Sequence, residues 1–126
     1  MHINDPEIVA ELQALYPRYE NALVTNDAET LVQMFWASPH AMRFGVTENL
    51  HGIDEIADFR KGRAPVNLAR TIRRLDSVTL GRDYGSITLE FERTMDGRTI
   101  SGRQSQVWVR FPEGWRIVSA HVSLLP

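Results

Sequence analysis

The last third of the chain contains a long β-hairpin pattern, which limits the possible fold more than any other feature of the sequence. Between Gly97 and Ser123, two extended segments flank the turn Pro112-Glu113-Gly114. Asp96-Gly97 joins the first of them to another extended segment, and Asp-Gly is the strongest short signal for a tight hairpin turn. The C-terminal half is therefore predicted to form an antiparallel meander.

The first half of the sequence has the pattern of helices. Asp5-Pro6 is typical of a helix start, because aspartate can cap the first turn and proline suits the first helical position. Apolar residues then recur at helical spacing as far as Leu23. Pro17 falls within this stripe and lacks a backbone donor, so a kink or break is predicted near Leu15.

Two shorter helices are predicted after the first. The second covers residues 27–35, where Glu29 stands at the position that a capping box favours. A turn at His51-Gly52 precedes the third, in which acidic residues suit the first turn and Arg60 and Lys61 suit the last.

Extended segments make up the rest of the prediction. A bulge is expected in the first long one, because its alternation slips around Arg73-Arg74-Leu75. Helices followed by such strands indicate an α+β fold in one domain over residues 1–126, with N-terminal helices packed on a curved antiparallel sheet. These layers form a cone, and the function is expected to depend on what lines the cavity between them. The predicted strands are residues 41–46, 68–80, 84–94, 99–111 and 115–124.

The composition excludes several classes of function. A net charge of −2 over 126 residues gives no electrostatic attraction to nucleic acid or to an anionic membrane. No cysteine is present, so the chain has no thiol nucleophile, disulfide or cysteine-bound metal. No apolar run approaches the ~20 residues of a membrane span, and the N-terminus lacks a secretion signal pattern, so we expect a cytoplasmic protein.

Arginine dominates the basic residues, and Arg43 is the most informative of them. Thirteen arginines accompany a single lysine, which indicates either codon bias or a use of arginine's bidentate grip on carboxylates. The neighbours of Arg43 are apolar, and a buried arginine needs a partner because an unpaired internal charge is very costly. A substrate carboxylate and an internal acidic residue fit this position equally well.

Tyr19 lies on the apolar stripe of the first predicted helix. A buried phenol needs a partner for its hydroxyl. Facing a cavity, it would serve as a proton donor or would polarise a carbonyl. The alternative is an ordinary core tyrosine, which the spacing alone favours.

The histidines give little support for a metal site. His121 is predicted to share a strand face with Ile117 and Ser123, and His40 begins the first strand. No two histidines stand at the spacing of metal ligands, so no metal is expected.

Gln104 and Gln106 alternate with Arg103 and Ser105 on a long strand and therefore share one face. Amide side chains suit ureas and amides, because both kinds of group offer donors and acceptors. If this face is the outer one, a polar dimer interface explains them instead. Alternation alone leaves the choice open.

Three strings of residues resemble one protein family. Residues 34–45 read MFWASPHAMRFG, residues 102–111 read GRQSQVWVRF and residues 114–123 read GWRIVSAHVS. They are similar to the AtzH/HpxZ proteins, in the SnoaL-like branch of the nuclear-transport-factor-two (NTF2) superfamily, over nearly the whole chain. The resemblance implies the cone-shaped NTF2-like fold, a homodimer formed by the outer sheet face, and catalytic roles for Tyr19 and Arg43.

The resemblance also implies a place in bacterial nitrogen catabolism, with a functional link to an amidase and its small accessory subunit. AtzH is tied to cyanuric acid breakdown, as a decarboxylating amidohydrolase that turns dicarboxyurea into allophanate, and HpxZ is tied to oxalurate. Our first hypothesis is a cofactor-free hydrolase of linear amides in which Arg43 binds a carboxylate of a small anionic ureide and Tyr19 donates a proton. The second is a non-catalytic ureide-binding or accessory protein of an amidase complex. The predicted substrate-orienting residues are His40, Gln104, Gln106 and His121.

Overall fold

A computed structural model describes all 126 residues and shows three helices packed on one curved six-stranded sheet. The predicted α+β cone is therefore confirmed. None of the helices combines the length and the apolar character needed to cross a membrane. The helices are α1 (Pro6–Val24), α2 (Ala28–Gln33) and α3 (Ile53–Gly62). The strands are β1 (Met42–Phe44), β2 (Asn49–His51), β3 (Thr71–Leu80), β4 (Tyr84–Met95), β5 (Arg98–Phe111) and β6 (Gly114–Leu124).

The sheet is mixed rather than purely antiparallel. Its strand order is β2-β1-β6-β5-β4-β3, and all neighbours are antiparallel except β1 and β6. Arg43 on β1 lies opposite Ala120 on β6 in the parallel pair. These strands are far apart in the chain, so no tight turn forces them to run in opposite directions.

The helix α1 runs through Pro17 without the predicted break. Its start is as predicted, since the Asp5 side chain accepts a hydrogen bond from the Glu7 amide at 3.1 Å and proline occupies the first turn. Pro17 is exposed, whereas Tyr16 and Tyr19 on either side of it are buried against the core. The loss of one backbone donor on the solvent face is thus tolerated, because packing holds the inner face of the helix.

The second helix is shorter than predicted, and its cap differs. Asp27 caps α2 by accepting a hydrogen bond from the Thr30 amide at 3.1 Å. Glu29 forms no capping box and instead accepts from Gln33 Nε2 at 3.4 Å. The segment before α3 also differs, because His51 pairs with Met42 in a short strand rather than forming a turn.

The C-terminal meander forms as predicted. Asp96 and Gly97 both adopt positive φ values, 52° and 76°, as a tight two-residue hairpin turn requires. The predicted bulge in β3 is present between Ile72 and Arg74. A second bulge, which was not predicted, lies in β6. Val107 pairs with Ser119, and the next residue of β5, Trp108, pairs with Ile117, so Val118 has no partner. This bulge reverses which side chains of β6 point into the cone.

We expect Gly102→Ala to lower the free energy of unfolding by roughly 1–3 kcal/mol. A Cβ at Gly102 would overlap the Phe91 ring, which is buried in the core. Urea denaturation of the purified protein measures the change. Gly62→Ala is the matched control: Gly62 ends α3 without a positive φ and a Cβ there meets nothing within 4 Å, so this substitution should not lower the stability. Equal stability of the Gly102→Ala variant and the wild type would contradict the close packing at this position.

Candidate functional site

A cavity of about 200 Å³ lies between α1 and the inner face of the sheet. The helix contributes Tyr19 and Leu23, and the sheet contributes Gln104, Phe91 and Val122. Four arginines but only one carboxylate line it, although the whole chain has a net charge of −2. The cavity is thus a basic site within a slightly acidic protein. Its charged side chains are Arg43, Arg63, Arg70, Arg93 and Glu48.

Tyr19 borders the cavity and keeps its hydroxyl unoccupied by the protein. The residue is only 2% exposed and lies on the inner face of α1. Its ring is 5.9 Å from that of Tyr16, whose hydroxyl by contrast is fully engaged in hydrogen bonds. A buried phenol normally has a hydrogen-bond partner. The Tyr19 hydroxyl is therefore available to a molecule in the cavity.

Arg43 reaches the same cavity from β1, but one of its nitrogens already has a partner. Nη1 donates a hydrogen bond of 2.6 Å to Glu48 Oε1, and the guanidinium lies 5.5 Å from the centre of the Phe59 ring. Glu48 belongs to the loop between β1 and β2 and itself lines the cavity. The salt-bridge alternative for Arg43 is thus realised by a residue at the site. Burial works against ionisation of Glu48, but hydrogen bonds from Thr47 and Arg43 outweigh it and lower the pKa of the carboxyl group.

A second arginine, Arg70, forms a network that the sequence did not reveal. Its Nε and Nη2 donate to the two oxygens of Glu20, each at 2.9 Å, and Nη2 also lies 3.0 Å from Gln104 Oε1 and 3.1 Å from the Tyr16 hydroxyl. The guanidinium stacks over the Phe91 ring at 4.5 Å. Burial opposes the charge, yet the bonds to Glu20 raise the pKa of Arg70. Arg70 is therefore a neutralised structural cation in the cavity wall.

Tyr16 and Gln104 complete this network. The Tyr16 hydroxyl donates to Glu20 Oε1 at 2.8 Å and accepts from Gln104 Nε2 at 3.3 Å. Burial, partly offset by Arg70, raises the pKa of Tyr16, so the phenol stays protonated. Both the side-chain carbonyl oxygen and the side-chain nitrogen of Gln104 thus have protein partners. Gln104 therefore forms part of the cavity wall.

The two glutamines face inwards, which settles the question that alternation left open. Gln104 lines the cavity, whereas Gln106 is 1% exposed and lies outside its lining. Gln106 accepts a hydrogen bond from Trp108 Nε1 at 3.1 Å, and its own Nε2 has no partner. The structure therefore brings only one of the two predicted amides to the site.

Neither predicted histidine lies in the cavity. The bulge near Val118 turns Ile117 inwards and His121 outwards, so the prediction that these two share a face is wrong. His121 is exposed, packs edge-on near Phe44 at 6.0 Å, and borders only a crevice of about 10 Å³ beside Tyr19 and Arg43. His40 is exposed in the loop before β1, where its ring centre lies 6.2 Å from the ring centre of Trp36.

Three arginines surround Phe59 next to the cavity. The guanidinium carbons of Arg43, Arg60 and Arg63 lie 5.5, 5.9 and 5.3 Å from the ring centre. Arg60 is 6% exposed, and its Nε and Nη2 have no hydrogen-bond partner. Burial lowers the pKa of Arg60 to about 10. This cluster adds positive potential to the wall that holds Arg43.

The acidic and histidine side chains are dispersed. No group of three or more histidines, aspartates and glutamates comes together in a way that could hold a metal ion. The polar side-chain groups that line the cavity are a phenol, guanidinium groups, one carboxylate, one amide and one threonine hydroxyl.

Solved structures share this fold and, in two cases, much of the sequence. A protein of unknown function from Pectobacterium atrosepticum is 44% identical, with a TM-score of 0.92, covering 98% of this chain and 95% of its own. A cystatin-like fold protein from Burkholderia xenovorans is 42% identical, with a TM-score of 0.90, covering 100% of this chain and 99% of its own. No curated protein matches the chain.

More distant structures establish the fold class. An NTF2-like superfamily protein from Salmonella enterica is 22% identical, with a TM-score of 0.78, covering 96% of this chain and 93% of its own. The cone of helices on a curved mixed sheet is therefore the NTF2-like, or cystatin-like, fold. At the level of sequence, the AtzH-like family matches residues 1–126, which is the entire chain. The protein belongs to the AtzH-like family.

Proposed function

We propose that the protein is a cofactor-free amidohydrolase that removes carbon dioxide from a small carboxylated urea, of the dicarboxyurea-to-allophanate type, in bacterial nitrogen catabolism. The observation that carries this proposal is the placement of Tyr19 and Arg43. A phenol without a protein partner and a buried guanidinium line the same arginine-rich cavity. Membership of the AtzH-like family supports the same function.

The charges of the cavity favour a dianionic ligand. Glu20 neutralises Arg70, and Glu48 neutralises Arg43. Arg63 and Arg93 line the cavity without a carboxylate partner, and the unpaired Arg60 lies behind the wall. Arg63 is exposed and Arg93 is partly exposed, so an anion in the cavity pairs with them through charge-assisted hydrogen bonds. A urea with a carboxylate at each end supplies two such anions in a small molecule.

The reaction needs one proton and no protein nucleophile. Arg43 binds one carboxylate and fixes the orientation of the urea. At the other end the bond between nitrogen and the carboxylate carbon breaks, its electron pair stays on the nitrogen, and carbon dioxide leaves. The Tyr19 hydroxyl donates its proton to that nitrogen and recovers one from solvent. The amide of Gln104, held by Tyr16 and Arg70, shapes the wall beside this step.

A second candidate is a non-catalytic ureide-binding or accessory protein of an amidase complex, of the oxalurate type. One observation favours it: Glu48 already occupies Arg43. In this case Tyr19 and Arg43 only recognise the ligand. The homodimer formed by the outer sheet face and the link to an amidase stay predictions in both cases.

Tyr19→Phe should lower turnover by about a hundredfold or more while leaving the melting temperature unchanged. The Tyr19 hydroxyl makes no hydrogen bond within the protein, so its removal breaks nothing in the fold. Tyr16→Phe is the matched control, because it removes a hydroxyl bonded to Glu20, Arg70 and Gln104. That variant should lose roughly 1–3 kcal/mol of stability. Steady-state conversion of dicarboxyurea to allophanate and thermal melts measure the two effects, and full turnover in Tyr19→Phe would favour the binding protein.

A further inference from the structure

Glu48 occupies the guanidinium that the proposed substrate has to bind. We propose that Glu48 is a displaceable internal carboxylate, which covers Arg43 in the empty cavity and gives way to a carboxylate of the ligand. Glu48 then determines specificity, since only an anionic ligand can take its place. This inference rests on the function proposed above.

Glu48 reaches Arg43 from the loop between β1 and β2, and both of its carboxylate oxygens accept hydrogen bonds. Oε1 accepts from Arg43 Nη1 at 2.6 Å, and Oε2 accepts from the Thr47 hydroxyl at 2.6 Å and from the Thr47 amide at 3.2 Å. Only one nitrogen of Arg43 is used. A ligand carboxylate that binds two nitrogens of the planar guanidinium makes the stronger contact. The exchange therefore favours the ligand.

The loop between β1 and β2 leaves room for Glu48 to fold over Arg43. A Cβ at Gly45 would overlap the Glu48 carboxylate and would lie 3.0 Å from Arg43 Nη1. Gly45 has no positive φ, so backbone conformation does not explain the glycine. The loop is closed by a hydrogen bond of 2.8 Å from the Gly45 amide to the Glu48 carbonyl oxygen. The absence of a side chain at Gly45 is thus what admits the Glu48 carboxylate.

Charge decides which ligands can displace Glu48. The Arg43 side chain is 7% exposed and that of Glu48 is 17% exposed, so Glu48 is nearer to solvent. A neutral urea or amide that separates the pair leaves Arg43 buried without a counter-ion, which is strongly unfavourable. A ligand carboxylate gives Arg43 the same negative counter-charge that Glu48 supplies, and the Glu48 side chain can then turn towards water. Neutral analogues are therefore excluded from Arg43 by the protein's own carboxylate.

Calorimetric titration with malonate, a small dicarboxylate, tests this role without depending on turnover. Glu48→Gln removes the competing charge. Gly45→Ala keeps the charge, but its Cβ fills the space that the Glu48 carboxylate occupies. Both variants should bind malonate about tenfold more tightly than the wild type. Glu113→Gln, which makes the same charge change in the exposed turn after β5, should bind like the wild type. Malonamide, the neutral analogue, should not bind the wild type measurably.

Several results would overturn the inference. Unchanged or weaker malonate binding by a folded Glu48→Gln variant is one, and malonamide binding to the wild type as tightly as malonate is another. A crystal structure of the malonate complex in which Glu48 is still hydrogen-bonded to Arg43 is a third. If malonate binds tightly but equally to all variants, only the role of Glu48 fails. If it binds neither the wild type nor the variants, the anion site of the proposed function fails as well.

Discussion

Arg43→Lys should lose activity almost as completely as Arg43→Ala. Lysine keeps a positive charge that can pair with Glu48, but it lacks the planar fork that binds a carboxylate through two hydrogen bonds. Loss of such a contact should cost roughly 2–4 kcal/mol of transition-state stabilisation, or about 30-fold to 1,000-fold in kcat/KM. Because the ion pair with Glu48 survives, Arg43→Lys should melt close to the wild-type temperature, whereas Arg43→Ala leaves Glu48 unpaired and should melt lower.

The kinetics of dicarboxyurea conversion to allophanate, with thermal melts alongside, separate charge from geometry at this position. Arg18→Lys is the matched control, since Arg18 is exposed on α1 and lies outside the cavity lining. It should leave both kcat/KM and the melting temperature unchanged. Near-normal activity of Arg43→Lys would show that a point charge suffices, and bidentate binding by Arg43 would then be wrong.

Arg70→Ala should cause the largest loss of stability of any single substitution considered for this site. The change leaves the Glu20 carboxylate without a counter-ion and removes a donor from both Tyr16 and Gln104. Removing one partner of a buried pair costs about 3–5 kcal/mol, which for a domain of this size lowers the melting temperature by on the order of 10 °C. The Phe91 ring also loses the cation stacked on it at 4.5 Å.

Differential scanning calorimetry measures this loss directly. Arg18→Ala is the control for removal of an arginine, because that side chain is exposed and makes no hydrogen bond, and its melting temperature should stay within about 2 °C of the wild type. A similarly small effect of Arg70→Ala would mean that the network around Glu20 contributes little to the fold.

Local signals predicted much of the fold. The tight turn at Asp96-Gly97, the bulge in β3 and the capped start of α1 all depend on residues close together in the sequence, and all three are present. The parallel pairing of β1 with β6 was not predictable in the same way, because it joins segments that only tertiary packing brings together. Packing also explains why α1 continues through Pro17, against its local preference.

Only part of the candidate site was predictable, because some of its contacts join residues that are far apart in the chain. Tyr19 and Arg43 stood out because each polar group lies in an apolar stretch of its own element. Arg70 was missed, since its partner Glu20 lies 50 residues earlier in the chain and nothing in the local pattern announces the pair. His121 was placed on the wrong face because alternation assumes a regular strand, and the bulge near Val118 shifts the register by one residue.

Direct detection of the products formed by the purified wild-type protein from dicarboxyurea tests the proposed function most directly. We predict that allophanate and carbon dioxide form in equal amounts, without an added cofactor, and that Tyr19→Phe forms both far more slowly under the same conditions. Saturable binding of the ureide by the wild type with no product above the uncatalysed background would contradict catalysis and would identify a binding protein instead.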